Sequence, residues 1–438
     1  MRKTAYSRAL TTLVGAAALA VAATPGTPAV SATPAQAPAH AGPAASTAGT
    51  TQADDPYREP FRFLSAPDLF NADIGDVTGS AFYRGGAPNS WSPRWAETTQ
   101  NLFGQLADFD ANTYLVAGDM VNGRWHYDKG DTGTFGPGRT MAERIARVRR
   151  AGETYYPQWL QFWEDAGIPS WRVRTAVGDH EMGDNPWKAR DTQLAAYDTY
   201  KDLFAEHFTQ RPNGTPRYPM RPVGTAQEGS AYAKYLDGGR VLLVTVDWFD
   251  KISDDTIDVT VSGGQLAWFD KVLADAPEET TIIVQGHFPI LEPVRRRGGG
   301  GPTTAYGESS PIWQSMVRHG ADLYLAGEVH DFTAVKRGPG PVQITHGGYA
   351  GNGRTDFIVG DVLSDGSIQV DARTIDVVAR SRARLWQTGG QIRERVSLAP
   401  TSRSVGSLVV SQDGTILQRT GCLDVYTGPY AQKQDCTR

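Results

Sequence analysis

The sequence has little cysteine and no excess of positive charge. Two cysteines among 438 residues exclude a disulfide-dense scaffold, a cysteine-rich zinc module and an iron–sulfur carrier. The 43 lysines and arginines against 48 acidic residues give a net charge of −5, which argues against binding nucleic acid or a polybasic attachment to membranes. The apolar runs are shorter than the roughly 20 residues that a membrane span needs. With 40% hydrophobic residues, the composition is that of an ordinary globular protein.

The N-terminus has the layout of a secretory signal. Three basic residues precede an apolar run over residues 9–23, and small residues then offer cleavage after Ala23 or Ala32. We therefore expect a signal peptide over residues 1–32, export of the chain, and no membrane span after cleavage. Loss of the three basic residues would take the net charge to −8, because no acidic residue occurs before Asp54.

Composition divides the remainder of the chain into three parts. Residues 33–54 are rich in alanine and proline and predict a disordered linker, whereas residues 55–375 alternate helical and strand patterns and predict the catalytic domain. The signals weaken over residues 376–438, which we interpret as a β-rich C-terminal extension. Cys422 and Cys436 lie close together there, and thiols oxidise readily in an exported chain, so a disulfide between them is expected.

The catalytic segment alternates buried-strand and helix patterns. Such alternation favours a layered α/β fold. Five short apolar runs predict strands: residues 113–117, 171–177, 240–246, 281–284 and 322–326. Apolar residues three and four apart predict two helices, one through Trp95, Leu102, Phe103, Leu106 and Phe109, the other through Leu266, Phe269, Val272 and Leu273. After Val342, strand patterns and glycine turns predict antiparallel strands that complete the sheets.

Several of these strands lead into a glycine next to a residue that can bind a metal. Ligand sites of open α/β sheets form beyond the carboxyl ends of the strands, and glycine allows the sharp turn there. The segments are Asp73-Ile74-Gly75-Asp76, Gly118-Asp119, Gly178-Asp179-His180-Glu181, Gly286-His287 and Gly327-Glu328-Val329-His330. One such segment alone is more often a turn, but five in this order predict a shared metal site.

The order of these motifs resembles the calcineurin-like metallophosphoesterase superfamily over about residues 61–375. The resemblance implies a four-layer α/β/β/α sandwich and two divalent metal ions, with a hydroxide bridging them that attacks the phosphate ester. Asp119 would bridge both metals, and His180 would be the general acid for the leaving oxygen. The implied metal ligands are Asp73, Asp119, Asp179, His287, Glu328 and His330.

The first motif departs from the family pattern. Gly75 stands where the family usually has histidine, as in purple acid phosphatases, and Tyr83, Tyr127 or Asp76 could take the place of that ligand. Asp68 rivals Asp73 as the first aspartate. We prefer Asp73 because residues 69–72 look like a strand that leads into it.

Two further departures concern the ligand chemistry. Asp179 replaces the usual asparagine, and Glu328 replaces the usual histidine of the last motif. Both keep an oxygen donor, so the harder ions Mn, Mg, Ca or Fe are favoured over an all-zinc centre, although Zn remains among the candidates.

We therefore predict a secreted phosphoesterase that hydrolyses a small phosphate mono- or diester. Candidate substrate contacts are His126 and the basic residues Arg295 and Arg296. A solvated surface loop explains the two arginines better than substrate binding does, and an aromatic surface loop explains His126 nearly as well. His346 either supports the residues of the site from behind or is an ordinary residue of the core. One alternative is a non-catalytic binding protein with a degraded metal site. A zinc peptidase is a weaker one, because His180-Glu181 begins like H-E-x-x-H but residue 184 is aspartate.

Overall fold

A computed structural model describes a large part of the chain. Two units separate along the sequence, Met1–Ala53 and Asp54–Arg438, and the described residues all belong to the second. The predicted signal and the whole of the predicted linker fall outside the described residues. The described ranges are 60–69, 93–121, 123–126, 135–188, 191–295, 307–348, 353–379 and 397–424.

Six α-helices occur in the described ranges. The longest has a capping box at its start, where Thr140 and Glu143 exchange side-chain and backbone hydrogen bonds and so satisfy two free N–H groups. Among the described helices, we find none that combines the length and the apolar character needed to cross a membrane. The helices are α1 (Pro93–Ala107), α2 (Met141–Asp165), α3 (Thr192–Ala195), α4 (Tyr197–Phe204), α5 (Gly263–Ala274) and α6 (Pro311–Arg318).

Two large sheets and one hairpin hold the strands. The strands are β1 (Phe61–Ser65), β2 (Thr113–Val116), β3 (Val173–Thr175), β4 (Tyr232–Leu236), β5 (Val241–Thr245), β6 (Phe249–Ser253), β7 (Thr256–Val259), β8 (Thr281–Gln285), β9 (Leu323–Ala326), β10 (Thr333–Lys336), β11 (Val342–Thr345), β12 (Arg354–Val362), β13 (Ile368–Ala379), β14 (Ser397–Leu398), β15 (Arg403–Val410) and β16 (Ile416–Gly421). The first sheet has the order β16-β15-β13-β12-β1-β2-β3, with β14 beside β13. The second has the order β10-β11-β9-β8-β5-β4, and β6 pairs with β7.

Parallel pairing fixes where the strands of each sheet end. In the first sheet, β1, β2 and β3 are parallel to one another, and β12 runs antiparallel to β1. In the second, β5, β8, β9 and β11 are parallel. The carboxyl ends of three strands therefore meet at one edge of the first sheet, and those of four strands meet at one edge of the second.

Strands of both sheets divide their apolar side chains between two core clusters. Leu115 of β2 and Ile283 of β8 share one cluster, although they belong to different sheets. Their neighbours Tyr114 and Ile282 lie in the other cluster, together with residues of the helices. Because strand side chains alternate in direction, the strands are buried on both faces, as their nearly continuous apolar sequences predict. The mixed α/β fold is confirmed, and the order of its layers stays a prediction.

Two of the predicted strands differ from the observed ones. The run over residues 171–177 is a strand only at Val173–Thr175, because residues 170–172 form a single 3₁₀ turn. The strand expected over residues 69–72 is not found at Leu69, which lies in a bend, and residues 70–72 fall outside the described ranges. The strand before this motif is instead β1, which ends at Ser65.

The C-terminal strands continue the first sheet. β15 pairs along β13 and β16 pairs with β15, both antiparallel, and β13 itself runs through the predicted boundary at residues 375 and 376. Cys422 is buried in the core shared by the two sheets. Cys436 lies outside the described ranges, so the disulfide stays a prediction.

Asp322 precedes β9, at the end of the strand opposite to Glu328 and His330. This buried carboxyl offers a test of pH-dependent stability. It accepts a hydrogen bond from the Ile282 backbone N–H at 2.7 Å, and burial raises its pKa to about 7. A carboxyl whose pKa is raised by folding stabilises the protein when protonated, and that contribution is lost as the pH rises through about 7. Asp322→Asn cannot ionise. From pH 5 to pH 8 the wild type should therefore lose roughly 2–3 kcal/mol more unfolding free energy than the variant.

Urea unfolding of both proteins at the two pH values measures this difference. Every other titrating group is common to the two proteins, so its contribution cancels in the comparison. Equal pH dependence of the wild type and Asp322→Asn would contradict the raised pKa.

Candidate metal centre

Five loops that follow parallel strands bring acidic and histidine side chains together. Asp68 follows β1, Asp119 follows β2, and Asp179 and His180 follow β3. In the second sheet, His287 follows β8, and Glu328 and His330 follow β9. These are the positions at which open α/β sheets form their ligand sites.

Four of these side chains form the first ligand group, which consists of Asp119, Asp179, His287 and Glu328. All four are buried, and one donor atom from each lies within 4.8 Å of the others. His287 Nε2 is 3.3 Å from Asp119 Oδ1, 3.4 Å from Asp179 Oδ1 and 3.1 Å from Glu328 Oε2. The spacing suits one small cation held by three oxygens and one nitrogen.

The second ligand group consists of Asp68, Asp119 and His330. Its donor atoms also lie within 4.8 Å of one another, and His330 Nε2 is 3.2 Å from Asp68 Oδ1. Asp119 is the one residue shared with the first group. A carboxylate that belongs to both groups is the kind of bridge that a two-metal centre requires.

A hydrogen bond behind His287 orients its ring. Nδ1 lies 2.7 Å from the carbonyl oxygen of Ala117, so Nδ1 carries a proton and donates it to that oxygen. Nε2 is then the ring atom that faces the carboxylates and that a bound cation would contact. Histidine ligands of metals are commonly held by a second hydrogen bond of this kind.

Burial and close approach shift the pKa values of all four side chains in the first group. Burial lowers the pKa of His287, but the nearby carboxylates of Asp119, Asp179 and Glu328 raise it well above its ordinary value. Burial raises the pKa of Asp119 well above its usual range and that of Glu328 to about 6. Burial also acts to raise the pKa of Asp179, yet His180 and His287 hold it below its usual value.

The donor set fits divalent metal ions. Asp179 Oδ1 is buried and accepts no hydrogen bond from any residue in the described ranges, which leaves a carboxylate oxygen for another partner. The two groups together offer four carboxylates, whose charges two divalent ions would balance. Oxygen donors outnumber imidazoles, which favours harder ions over an all-zinc centre.

Removal of metal should destabilise the protein. A ligand present at 100 times its dissociation constant stabilises the folded state by about 2.7 kcal/mol. We expect thermal unfolding of chelator-treated protein to begin several degrees lower, and added Mn²⁺ to restore the original midpoint. Calorimetry of the same sample before and after the addition measures the shift. An unchanged midpoint at saturating Mn²⁺ would show that these side chains do not hold a metal.

Backbone strain is concentrated in the same loops. Four residues of these loops have a positive φ, between 54° and 67°: Asp68, Asp119, Glu328 and His330. Residues other than glycine rarely adopt such backbone angles. Strained conformations of this kind cluster at functional sites, where the surrounding structure must enforce them. Gly118, at φ 92°, allows the Asp119 turn to pack against the next loop, because a Cβ there would lie 2.6 Å from Gly178.

His180 lies beside the two ligand groups. Its backbone N–H donates to Asp119 Oδ1 at 3.1 Å, and its Nε2 is 3.8 Å from Asp119 Oδ2. On the other side, Nε2 is 3.5 Å from Asp184 Oδ1, and Arg124 pairs with the second oxygen of Asp184. The imidazole is therefore close to the carboxylate that the two groups share and lies next to the acidic side chain of Asp184.

His126 lies near this edge of the site, whereas Arg295 is bound into the core. His126 Nδ1 is 3.2 Å from the Tyr200 hydroxyl, and burial lowers its pKa to about 4 even though Asp184 acts to raise it. The buried Arg295 guanidinium donates to the carbonyl oxygens of Phe332 and Cys422, which ties its loop to the C-terminal segment. Arg296 lies outside the described ranges.

Asp68, which the sequence pattern ranked behind Asp73, lies in the second ligand group. Asp73 lies outside the described ranges, as do Gly75, Asp76, Tyr83 and Tyr127. The β1 sequence FRFLS, three residues before Asp68, was the signal that could have decided between the two aspartates. Two positions after Asp68 the chain has Phe70, which has no ligand atom where the family has histidine.

The sequence pattern indicated little or no functional role for two residues near the site, His346 and Glu181. His346 is buried, and its Nε2 lies 2.9 Å from Ser65 Oγ behind the site, while burial lowers its pKa to about 4. Glu181 is fully buried and accepts hydrogen bonds from backbone N–H groups. Residues 180–182 form one 3₁₀ turn, so the helix that H-E-x-x-H requires is absent at this position.

Comparison with known proteins gives structural similarities at low sequence identity. No protein-family model matches the sequence, and no curated protein does either. A dimetal phosphatase from Danio rerio matches with 13% identity and a TM-score of 0.43, over 72% of this chain and 96% of that one. The purple acid phosphatase PPD1 from seeds of yellow lupin (Lupinus luteus) matches with 12% identity and a TM-score of 0.44, over 73% of this chain and 52% of that one.

A third similar structure is that of a protein described as an anchor and not as a phosphatase. GAP50, the anchor in the inner membrane complex of Plasmodium, matches with 11% identity and a TM-score of 0.38, over 77% of this chain and 90% of that one. The chain thus spans about half of the lupin enzyme and most of the other two proteins.

Proposed function

We propose that this protein is a secreted metallophosphoesterase of the calcineurin-like type that uses two divalent metal ions. The observation that carries the proposal is the position of Asp119, which is shared by two separate ligand groups at adjoining strand ends. Paired metal ions supply the chemistry of such hydrolases, because they polarise phosphoryl oxygens and make water a stronger nucleophile.

The residues of the chain then have distinct tasks. Asp179, His287 and Glu328 would hold one ion, Asp68 and His330 the other, and Asp119 both. The second group has fewer donors among the described residues, since Phe70 stands where a histidine would be expected. We therefore expect the two ions to bind with different affinities.

His180 would supply the proton that the leaving oxygen needs. Histidine titrates near neutral pH and is the side chain most often used for such transfers. Its Nε2 faces the bridging Asp119 from outside the two ligand groups, with Asp184 on its other side. In this position it would be able to donate a proton to the leaving oxygen of an ester bound at the two ligand groups.

The substrate would be a small phosphate mono- or diester. His126 lies beside the site, and the half-exposed guanidinium of Arg124 is paired with Asp184 near His180. Export follows from the N-terminal pattern, and a disulfide between Cys422 and Cys436 would suit that environment.

Metal analysis and hydrolysis assays test the proposal together. Protein purified without chelators should contain two divalent ions per chain and hydrolyse a chromogenic phosphomonoester or diester. A chelator should remove the activity, and Mn²⁺, Fe²⁺, Mg²⁺, Ca²⁺ or Zn²⁺ should restore it to different extents. Inert, metal-free protein that stays inert after metal addition would contradict the proposal and favour the non-catalytic binding protein.

A further inference from the structure

The side chain of Glu181 joins two of the metal-binding loops through their backbones. One carboxylate oxygen, Oε2, accepts hydrogen bonds from the N–H groups of Gly178 and Asp119, both at 2.7 Å. The other, Oε1, accepts one from Met120 at 2.8 Å. The side chain is fully buried, so these bonds are shielded from water.

These contacts distinguish Glu181 from the metal ligands around it. Both of its oxygens are engaged by backbone donors, and it belongs to neither ligand group. Charge-assisted hydrogen bonds from amides are about twice as strong as neutral ones, and they satisfy a charge that would otherwise be costly to bury.

Glu181 accepts hydrogen bonds from the backbone segment at Asp119, which has a strained conformation. Asp119 has a φ of 60°, and two of the three donors are its own N–H and that of the residue after it. The third donor, Gly178, packs so closely that a Cβ there would lie 2.3 Å from Asp119 Oδ1. A small movement of either loop would therefore shift the carboxylate that both ligand groups share.

We propose that Glu181 is a positioning residue that fixes the bridging carboxylate of Asp119 between the two metal sites. It acts through backbone N–H groups and contacts neither metal nor substrate. The inference rests on the proposed two-metal centre. Outer-shell partners of metal ligands typically contribute 10-fold to 100-fold in metal affinity.

Glu181→Gln tests the inference because it keeps the shape of the side chain but puts an amide N–H₂ opposite a backbone donor. Asp322→Asn is the matched control: it also neutralises a buried carboxylate that accepts a backbone N–H, but at the far end of β9. Chelator-treated proteins are titrated with Mn²⁺ by calorimetry, and their unfolding is measured separately without metal.

We expect Glu181→Gln to bind Mn²⁺ at least 10-fold more weakly at one or both sites, whereas Asp322→Asn binds like the wild type. The spin-coupled electron paramagnetic resonance signal of paired Mn²⁺ should give way to that of isolated ions. Wild-type affinity and coupling in Glu181→Gln would overturn the inference. So would failure of both Glu181→Gln and Glu181→Asp to fold, because Glu181 would then be a determinant of the fold.

These readouts separate the inference from the proposed function. If the wild type binds two coupled Mn²⁺ ions but hydrolyses no ester, the phosphoesterase proposal fails, while the effect of Glu181 on metal binding is still measured. If Glu181→Gln binds metal normally while the wild type hydrolyses esters, only the positioning role fails.

Discussion

Asp119→Asn is expected to lower the proposed phosphoesterase activity about a thousandfold or more. The amide keeps the size of the side chain but loses the charge and one of the two equivalent oxygens. Asp119 is the one residue that both ligand groups contain, so the substitution weakens both metal sites at once. Metal stabilisation of the transition state is worth several kcal/mol, and each 1.36 kcal/mol is a factor of ten in rate.

The measurement is kcat/KM for a chromogenic ester, together with the metal content of the same preparation. We expect fewer than two ions per chain in Asp119→Asn. Asp361→Asn is the control, because Asp361 lies in the same sheet and its partner is the partly exposed Arg62. That variant should keep both ions and nearly full activity. Full activity in Asp119→Asn would mean that the site lies elsewhere.

His180→Gln should lower kcat about 100-fold to 10,000-fold for an ester with an alkyl leaving group, while both metal ions stay bound. General acid catalysis contributes in this range. A nitrophenolate leaves without much help from a proton, so the loss for a nitrophenyl ester should be much smaller. His180 Nε2 lies outside the two ligand groups that contain Asp119, which is why metal content should be unaffected.

The dependence on the leaving group decides between two roles of His180. A metal ligand would lose activity equally for both esters and would lose metal as well. His319→Gln is the control, since His319 is bound to Asp270 in a surface cluster. If kcat of His180→Gln falls equally for alkyl and nitrophenyl esters, His180 is not the general acid.

The metal motifs could be predicted from the sequence because each is local. A buried apolar run followed by glycine and an acidic or histidine residue is a pattern within a few residues, and it identified Asp119, Asp179, His287, Glu328 and His330. The structure brings these five together. The α/β class could be predicted for the same reason, since β2, β5, β8 and β9 are short apolar runs between helical segments.

The local sequence pattern did not rank Asp68 first among the candidate aspartates, although Asp68 lies in the second ligand group. Asp68 and Asp73 both follow residues with strand character, and the sequence favoured Asp73. The choice depends on which strand lies beside β2 in the sheet, and this is a long-range pairing. β1 takes that position through its parallel register with β2, and it delivers Asp68 to Asp119 and His330.

The sequence by itself determined which residues can bind metal and at which strand ends they lie. The tertiary structure decided which of them lie close enough to share a metal, that Asp119 belongs to both groups, and that Glu181 accepts hydrogen bonds from the backbone of Asp119. The physical reason is distance along the chain: Asp119 and Glu328 are more than 200 residues apart, and strand pairing and core packing bring them within 4.8 Å. The role of Arg295 also depended on the tertiary structure. Its charge suggested a contact with a phosphate substrate, but its buried guanidinium donates hydrogen bonds to backbone carbonyl oxygens.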